Sequence, residues 1–126
     1  MEGPAEAAEI APRFADAVAV AGLQALASGR RRAVVLLLDE STSDPSFYDP
    51  ARVRRFLRTA RVPLVVWSSD NRSPLATAWG GAVDVSSPSA LERAVRDLRE
   101  ILDRQRILWL PGTLLPGTVD VQVSTP

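Results

Sequence analysis

The residues best suited to chemistry in this chain are Asp39, Ser41, Ser43 and Asp44, which follow directly on the apolar run Ala33-Val34-Val35-Leu36-Leu37-Leu38. Carboxylate and hydroxyl oxygens are what hard cations prefer. This set therefore suits Mg²⁺ or Mn²⁺, whose near-octahedral oxygen shells include waters. The metal candidates are Asp39, Ser41 and Ser43, and with so few carboxylates at hand such a site binds its cation weakly. The same side chains have a plain alternative, because Ser and Asp hold turns and cap helices. A second polar stretch, Ser68-Ser69-Asp70-Asn71, closes the next apolar run and can line the same rim; its plain alternative is loop solvation. Trp67, Trp79 and Trp109 read as packing residues. Trp79, beside Gly80-Gly81, is the tryptophan best placed for exposure and contact with a partner. The expected partner-binding rim is thus Asp39, Asp44, Ser68, Ser69, Asp70 and Trp79.

Other chemistries are excluded by composition. The chain has no Cys and no His, which removes thiol catalysis, disulfides, typical zinc sites and imidazole acid–base work. Every basic residue is Arg, so lysine Schiff bases and the phosphate-loop lysine are absent too. No serine has a His to activate it, and only Asp39, Glu40 and Asp44 cluster as carboxylates, too few for a metal hydrolase. The chain therefore reads as a non-enzyme. No Gly-rich phosphate loop follows an apolar run, since Gly80-Gly81 and Pro111-Gly112 lack the spacing. A small Rossmann-like enzyme or nucleotide-binding domain is nevertheless the alternative class. The 15 basic and 15 acidic residues balance, which argues against nucleic acid or an anionic membrane as partner. No run approaches membrane-spanning length. The N-terminus lacks the basic and apolar regions of a signal peptide. As written the chain reads as cytoplasmic; as a piece of a longer chain it would be exported.

These residues must be positioned by a frame, and the frame reads as α/β. At 126 residues the chain is one domain, residues 1–126. Ile10, Phe14, Val18, Ala21 and Ala25 recur at helical spacing, predicting a helix over Ala5 to Ser28 with Pro12 in its first turns and Gly29 as its stop. Ala33–Leu38 is an unbroken apolar run, which predicts a strand buried on both faces of a parallel sheet. Ligands in such sheets sit off the carboxyl ends of the strands, where Asp39 stands. Asp49-Pro50 starts a second helix, with Val53, Phe56, Leu57 and Ala60 on one face and arginines covering the rest. Val62–Trp67 is a second strand. Leu75–Gly81 is a short helix or an irregular turn, and Ala82–Val85 a short third strand. A long helix then starts either at a Ser89/Glu92 capping box or two residues earlier at Ser87-Pro88. Ile107–Leu110 reads as a further strand, and Val119–Val123 alternates as an edge strand does. The expected architecture is a three-layer, Rossmann-like fold. Its sheet is mostly parallel, of four to five strands, with helices on both faces and an antiparallel or edge strand at the C-terminus.

The order of these elements resembles the von Willebrand factor A family, in its divergent bacterial branch. The segments that carry the resemblance are Arg31-Arg32-Ala33-Val34-Val35-Leu36-Leu37-Leu38-Asp39, Arg61-Val62-Pro63-Leu64-Val65-Val66-Trp67-Ser68 and the tail Gln105-Arg106-Ile107-Leu108-Trp109-Leu110-Pro111. The resemblance covers about residues 10 to 124. Asp39-Glu40-Ser41-Thr42-Ser43 matches the family's Asp-x-Ser-x-Ser metal motif letter for letter. The neighbouring elements nonetheless fit the family's fourth strand better. In that register Asp39 is the later metal-site Asp, Ser41 to Asp44 belong to a variable loop, and the strand with the true serine motif is missing. The resemblance then implies the C-terminal half of a von Willebrand A-like domain. Its metal-ion-dependent adhesion site would be degenerate, with no cofactor or a weakly bound Mg²⁺ or Mn²⁺. It would act as a protein–protein interaction module, and an exposed sheet edge would invite homodimerisation.

Overall fold

The computed structural model describes residues 11–40, 43–107 and 122. The elements are α1 (Phe14–Ala27), β1 (Val34–Leu38), α2 (Pro50–Thr59), β2 (Leu64–Ser68), α3 (Pro74–Ala78), β3 (Val83–Asp84) and α4 (Pro88–Arg104). The strands form one all-parallel sheet in the order β1-β2-β3. Val34 to Leu38 pair in register with Leu64 to Ser68, and β3 pairs only with Trp67 and Ser68. The fold is therefore α/β with a parallel sheet, as the alternation of helices and strands predicts. The strands expected at Ile107–Leu110 and Val119–Val123 lie outside the described residues, except for Ile107 and Gln122, neither of which is in a strand.

Three helices start where local chemistry places them. Asp49 accepts a hydrogen bond from the Arg52 N–H at 3.1 Å, Ser73 from the Ala76 N–H at 3.1 Å and Ser87 from the Ala90 N–H at 3.2 Å. Each cap is followed by proline at the first helical position, where its missing N–H costs nothing. The choice between two starts for α4 thus falls on Ser87-Pro88. Leu75–Gly81 resolves into α3 and a turn through Gly80 and Gly81, both at positive φ.

α1 departs from expectation at its start. Pro12 precedes the helix, which begins at Phe14. Arg13, in the N-cap position, makes no side-chain cap, and the first N–H groups are met instead by Asp44 from a distant loop. Gly29, at φ +63°, stops the helix as predicted.

The core joins α1, α2 and α3 to one face of the sheet. It holds Ala15 and Val18 from α1, Val34, Leu36 and Leu38 from β1, Val53 and Leu57 from α2, Val66 from β2, and Leu75, Ala76 and Trp79. Gly22 lies where α1 meets α2, because a Cβ there would collide with Leu57 Cδ2. The expectation that β1 is buried on both faces is corrected. Val34, Leu36 and Leu38 are buried, but Val35 and Leu37 are exposed, Leu37 to 63%. An apolar run shows that both faces tolerate burial, but coverage depends on which helices arrive. α1 contacts β1 on the core side, whereas α4 packs against β3. At its far end α4 is tied to the start of β1. The Gln105 side chain accepts from the Arg32 N–H and donates to the Arg32 carbonyl.

Candidate functional site

The loop after β1 is built by reciprocal hydrogen bonds with the first turn of α1. Phe14 N–H donates to Asp44 Oδ1 at 3.1 Å, and Ala15 N–H donates to Asp44 Oδ2 at 3.0 Å. The Ser46 hydroxyl and N–H both donate to Asp44 Oδ1, at 2.6 and 3.1 Å. Ser46 Oγ in turn accepts from Asp16 N–H at 3.1 Å. The Asp16 carboxylate then reaches back and accepts from the N–H groups of Phe47 and Tyr48, each at 3.1 Å. Helix N-termini present unsatisfied N–H groups and partial positive charge, so two carboxylates at this junction are well placed. Asp44 is thus a helix cap supplied from across the fold, and its Oδ1 already accepts three hydrogen bonds.

Asp39 and Ser43 are exposed on the same loop, and Ser41 lies outside the described residues. Because Leu38 pairs with Ser68, Asp39 and Ser69 leave the sheet side by side, so the two polar loops share one rim as expected. Ser69 and Asp70 are exposed there. Ser68 is not available to a partner. It is 1% exposed, its hydroxyl donates to the Asp70 carbonyl at 2.9 Å, and its Oγ accepts from Asp70 N–H at 3.0 Å. Asp70 Oδ1 accepts from Arg72 N–H at 3.1 Å, completing the turn. Among the described residues no three Asp or Glu side chains converge as a metal-holding group.

Trp79 is a second correction to the expected rim. It is 2% exposed and packs in the core with Leu57 and Val66. It also lines a groove with Val62 to Val66, on the flank of β2 that leads away from the rim. Trp67 is buried too, in agreement with its expected packing role.

The rim carries a feature that the polar residues conceal. Phe47 and Tyr48 form an edge-on aromatic pair, with ring centroids 5.2 Å apart at 86°, and Phe47 is 85% exposed. Beside them a groove of about 500 Å³ runs between α1 and α2. It is lined by Ala19, Val20, Leu23, Tyr48, Val53 and Phe56, with Asp16 and Arg52 at its border. Val20 and Leu23 are exposed. The signal was present in the sequence: Val20 and Leu23 lie off the predicted apolar stripe of α1, and two adjacent aromatics sit in a loop with no periodicity to bury them.

Comparison with protein-family models, with curated proteins and with solved structures finds no match to the chain. Fold and site together define an α/β module with a parallel sheet and a hydrogen-bonded rim beside an apolar groove. No helix among the described residues is long and apolar enough to cross a membrane.

Proposed function

We propose that this chain is a non-enzymatic protein–protein interaction module, related to von Willebrand A domains, and that it binds its partner through the rim at the carboxyl ends of β1 and β2. The observation that carries the reading is the clamped aromatic pair. Asp16, Asp44 and Ser46 fix the backbone under Phe47 and Tyr48, so two rings are held in solvent beside an apolar groove. A backbone fixed before binding loses little further entropy when a partner covers the rings it carries, and aromatics dominate binding energy at interfaces. The exposed Asp39, Ser69 and Asp70 supply a polar border to that patch.

The relation to von Willebrand A domains is supported by the order of elements and the parallel pairing of β1, β2 and β3; in this reading these strands belong to a Rossmann-like sheet of four to five. In this reading the cation site is degenerate. Asp44 is engaged in capping α1, which leaves Asp39, Ser41 and Ser43 as a set too poor in charge for tight binding.

The test places a photo-crosslinking phenylalanine analogue at Phe47, and in a parallel variant at the exposed Arg96 of α4, in cells producing the chain. A protein partner trapped from position 47 and not from position 96, and lost on Leu23→Asp, is the expected result. Equal trapping from both positions, or trapping that survives Leu23→Asp, overturns the reading. For the cation, calorimetry with Mg²⁺ and Mn²⁺ is expected to give weak binding or none; tight binding abolished by Asp39→Ala would refute the degenerate site.

A further inference from the structure

The second groove of the molecule, about 640 Å³, lies on the flank of β2 that leads away from the rim. It owes its existence to the shortness of β3. Val34 N–H donates to the Pro63 carbonyl at 2.9 Å, so Pro63 and Val65 turn their backbone groups toward β1. Backbone groups alternate in direction along a strand, so those of Leu64 and Val66 point to the other side. There β3 pairs only with Trp67 and Ser68. The N–H and C=O of Leu64 and the N–H of Val66 therefore face an edge that no strand among the described residues covers. The chain from Trp79 to Val83 forms the opposite wall, so the groove is a wedge between β2 and the segment leading into β3.

The wedge is basic. Arg54 and Arg58 of α2 line it, and among the described residues no acidic side chain lines it and neither arginine meets a carboxylate. The Arg54 guanidinium rests against Gly80, at φ +84°, where any Cβ would displace it. Leu57, Val62 and Trp79 give the wedge an apolar floor.

We propose that this wedge captures an extended acidic peptide of a partner protein, which adds as a strand to the open edge of β2. The spacing supports carboxylates at alternate positions. Residues four apart on a helix, as Arg54 and Arg58 are, lie about 5–6 Å apart at Cβ. Alternate side chains on an extended strand share one face about 6.6 Å apart. A Glu-x-Glu segment thus sets one carboxylate against each guanidinium while its backbone pairs with Leu64 and Val66. The inference is independent of the rim, which lies at the other end of the strands.

The probe is a fluorescein-labelled Val-Glu-Val-Glu-Val peptide, followed by anisotropy. Saturable binding is expected. It should weaken about tenfold or more in the Arg54→Gln, Arg58→Gln double variant, as befits loss of charge-assisted hydrogen bonds. It should also weaken in about 0.5 M NaCl, where exposed charges are screened. A peptide with both Glu replaced by Gln, and one N-methylated along its backbone, should each bind less. In the unmodified protein, amide resonances of Leu64, Val66 and Gly81 should shift on binding, and those of Phe47 and Tyr48 should not. No binding at about 1 mM peptide, undiminished binding by a folded double variant, equal binding of the N-methylated peptide, or shifts confined to the rim would each overturn the proposal.

Discussion

Replacing Asp44 tests whether the loop after β1 is a structural clamp. Asp44→Ala removes the acceptor for Phe14 N–H and Ala15 N–H, both partly buried, and for the hydroxyl and N–H of Ser46. Loss of a helix cap costs about 0.5–2 kcal/mol, and loss of the negative charge at the helix N-terminus adds about 0.3–1 kcal/mol. The expected destabilisation is therefore about 2 kcal/mol, which for a chain of this length lowers Tm by roughly 5–10 °C. Asp44→Asn keeps an oxygen acceptor and the shape but not the charge, and should lose about half as much. Urea and thermal melts give the magnitude, and hydrogen exchange gives the location. Amides in the first turn of α1 and at Phe47 and Tyr48 should lose protection together, because Asp16 ties those two N–H groups to the same turn. A change below about 0.5 kcal/mol, the level typical of a surface substitution, would refute the clamp. So would loss of protection confined to the loop with α1 unaffected.

Two further outcomes follow from the packing and the titrating groups. Gly22→Ala should destabilise by about 1–2 kcal/mol, because the overpacking cost against Leu57 exceeds the gain of about 1 kcal/mol in helix propensity. In a Leu57→Ala background the same change should be neutral or favourable, and stabilisation by Gly22→Ala alone would contradict the close approach of α1 and α2. Asp84 is held below the ordinary carboxylate value of 3.8 by the Ser86 hydroxyl and then by the Ser86 N–H, which donates at 2.8 Å. A depressed folded value means that the contribution of this turn is present above pH 3.8 and is lost as pH falls through the folded value. An NMR titration should place the Asp84 midpoint below that value and move it upward in Ser86→Ala; an unchanged midpoint in the variant would exclude the hydroxyl as the cause.

Much of the fold was legible because the signals are local. Asp49-Pro50 reads as a helix start and Ser87-Pro88 as one of two; Ser73-Pro74, not singled out in the sequence, uses the same cap-and-proline chemistry, and each side chain bonds an N–H three residues on. The apolar stripe of α2 names its own buried residues, Val53 and Leu57. The candidate site was legible only in outline. Asp39 and Ser69 do share a rim, because neighbouring parallel strands end together. The residues offered as contacts behaved unequally. Ser68 is consumed by its own turn, Asp44 by α1, and Trp79 by the core.

What the sequence determined by itself is whatever depends on interactions within a turn or so of chain: the alternation of helix and strand segments among the described residues, the helix start at Asp49-Pro50, the stop at Gly29, and the absence of Cys and His chemistry. The tertiary structure decided the rest. It started α1 at Phe14 with a carboxylate from 30 residues further on. It left Leu37 exposed on a strand whose composition suits full burial. It stopped β3 after two residues, which opened a basic wedge beside β2. A cap or a turn is closed by neighbours along the chain, whereas burial, exposure and an open strand edge are set by what the fold brings across from elsewhere.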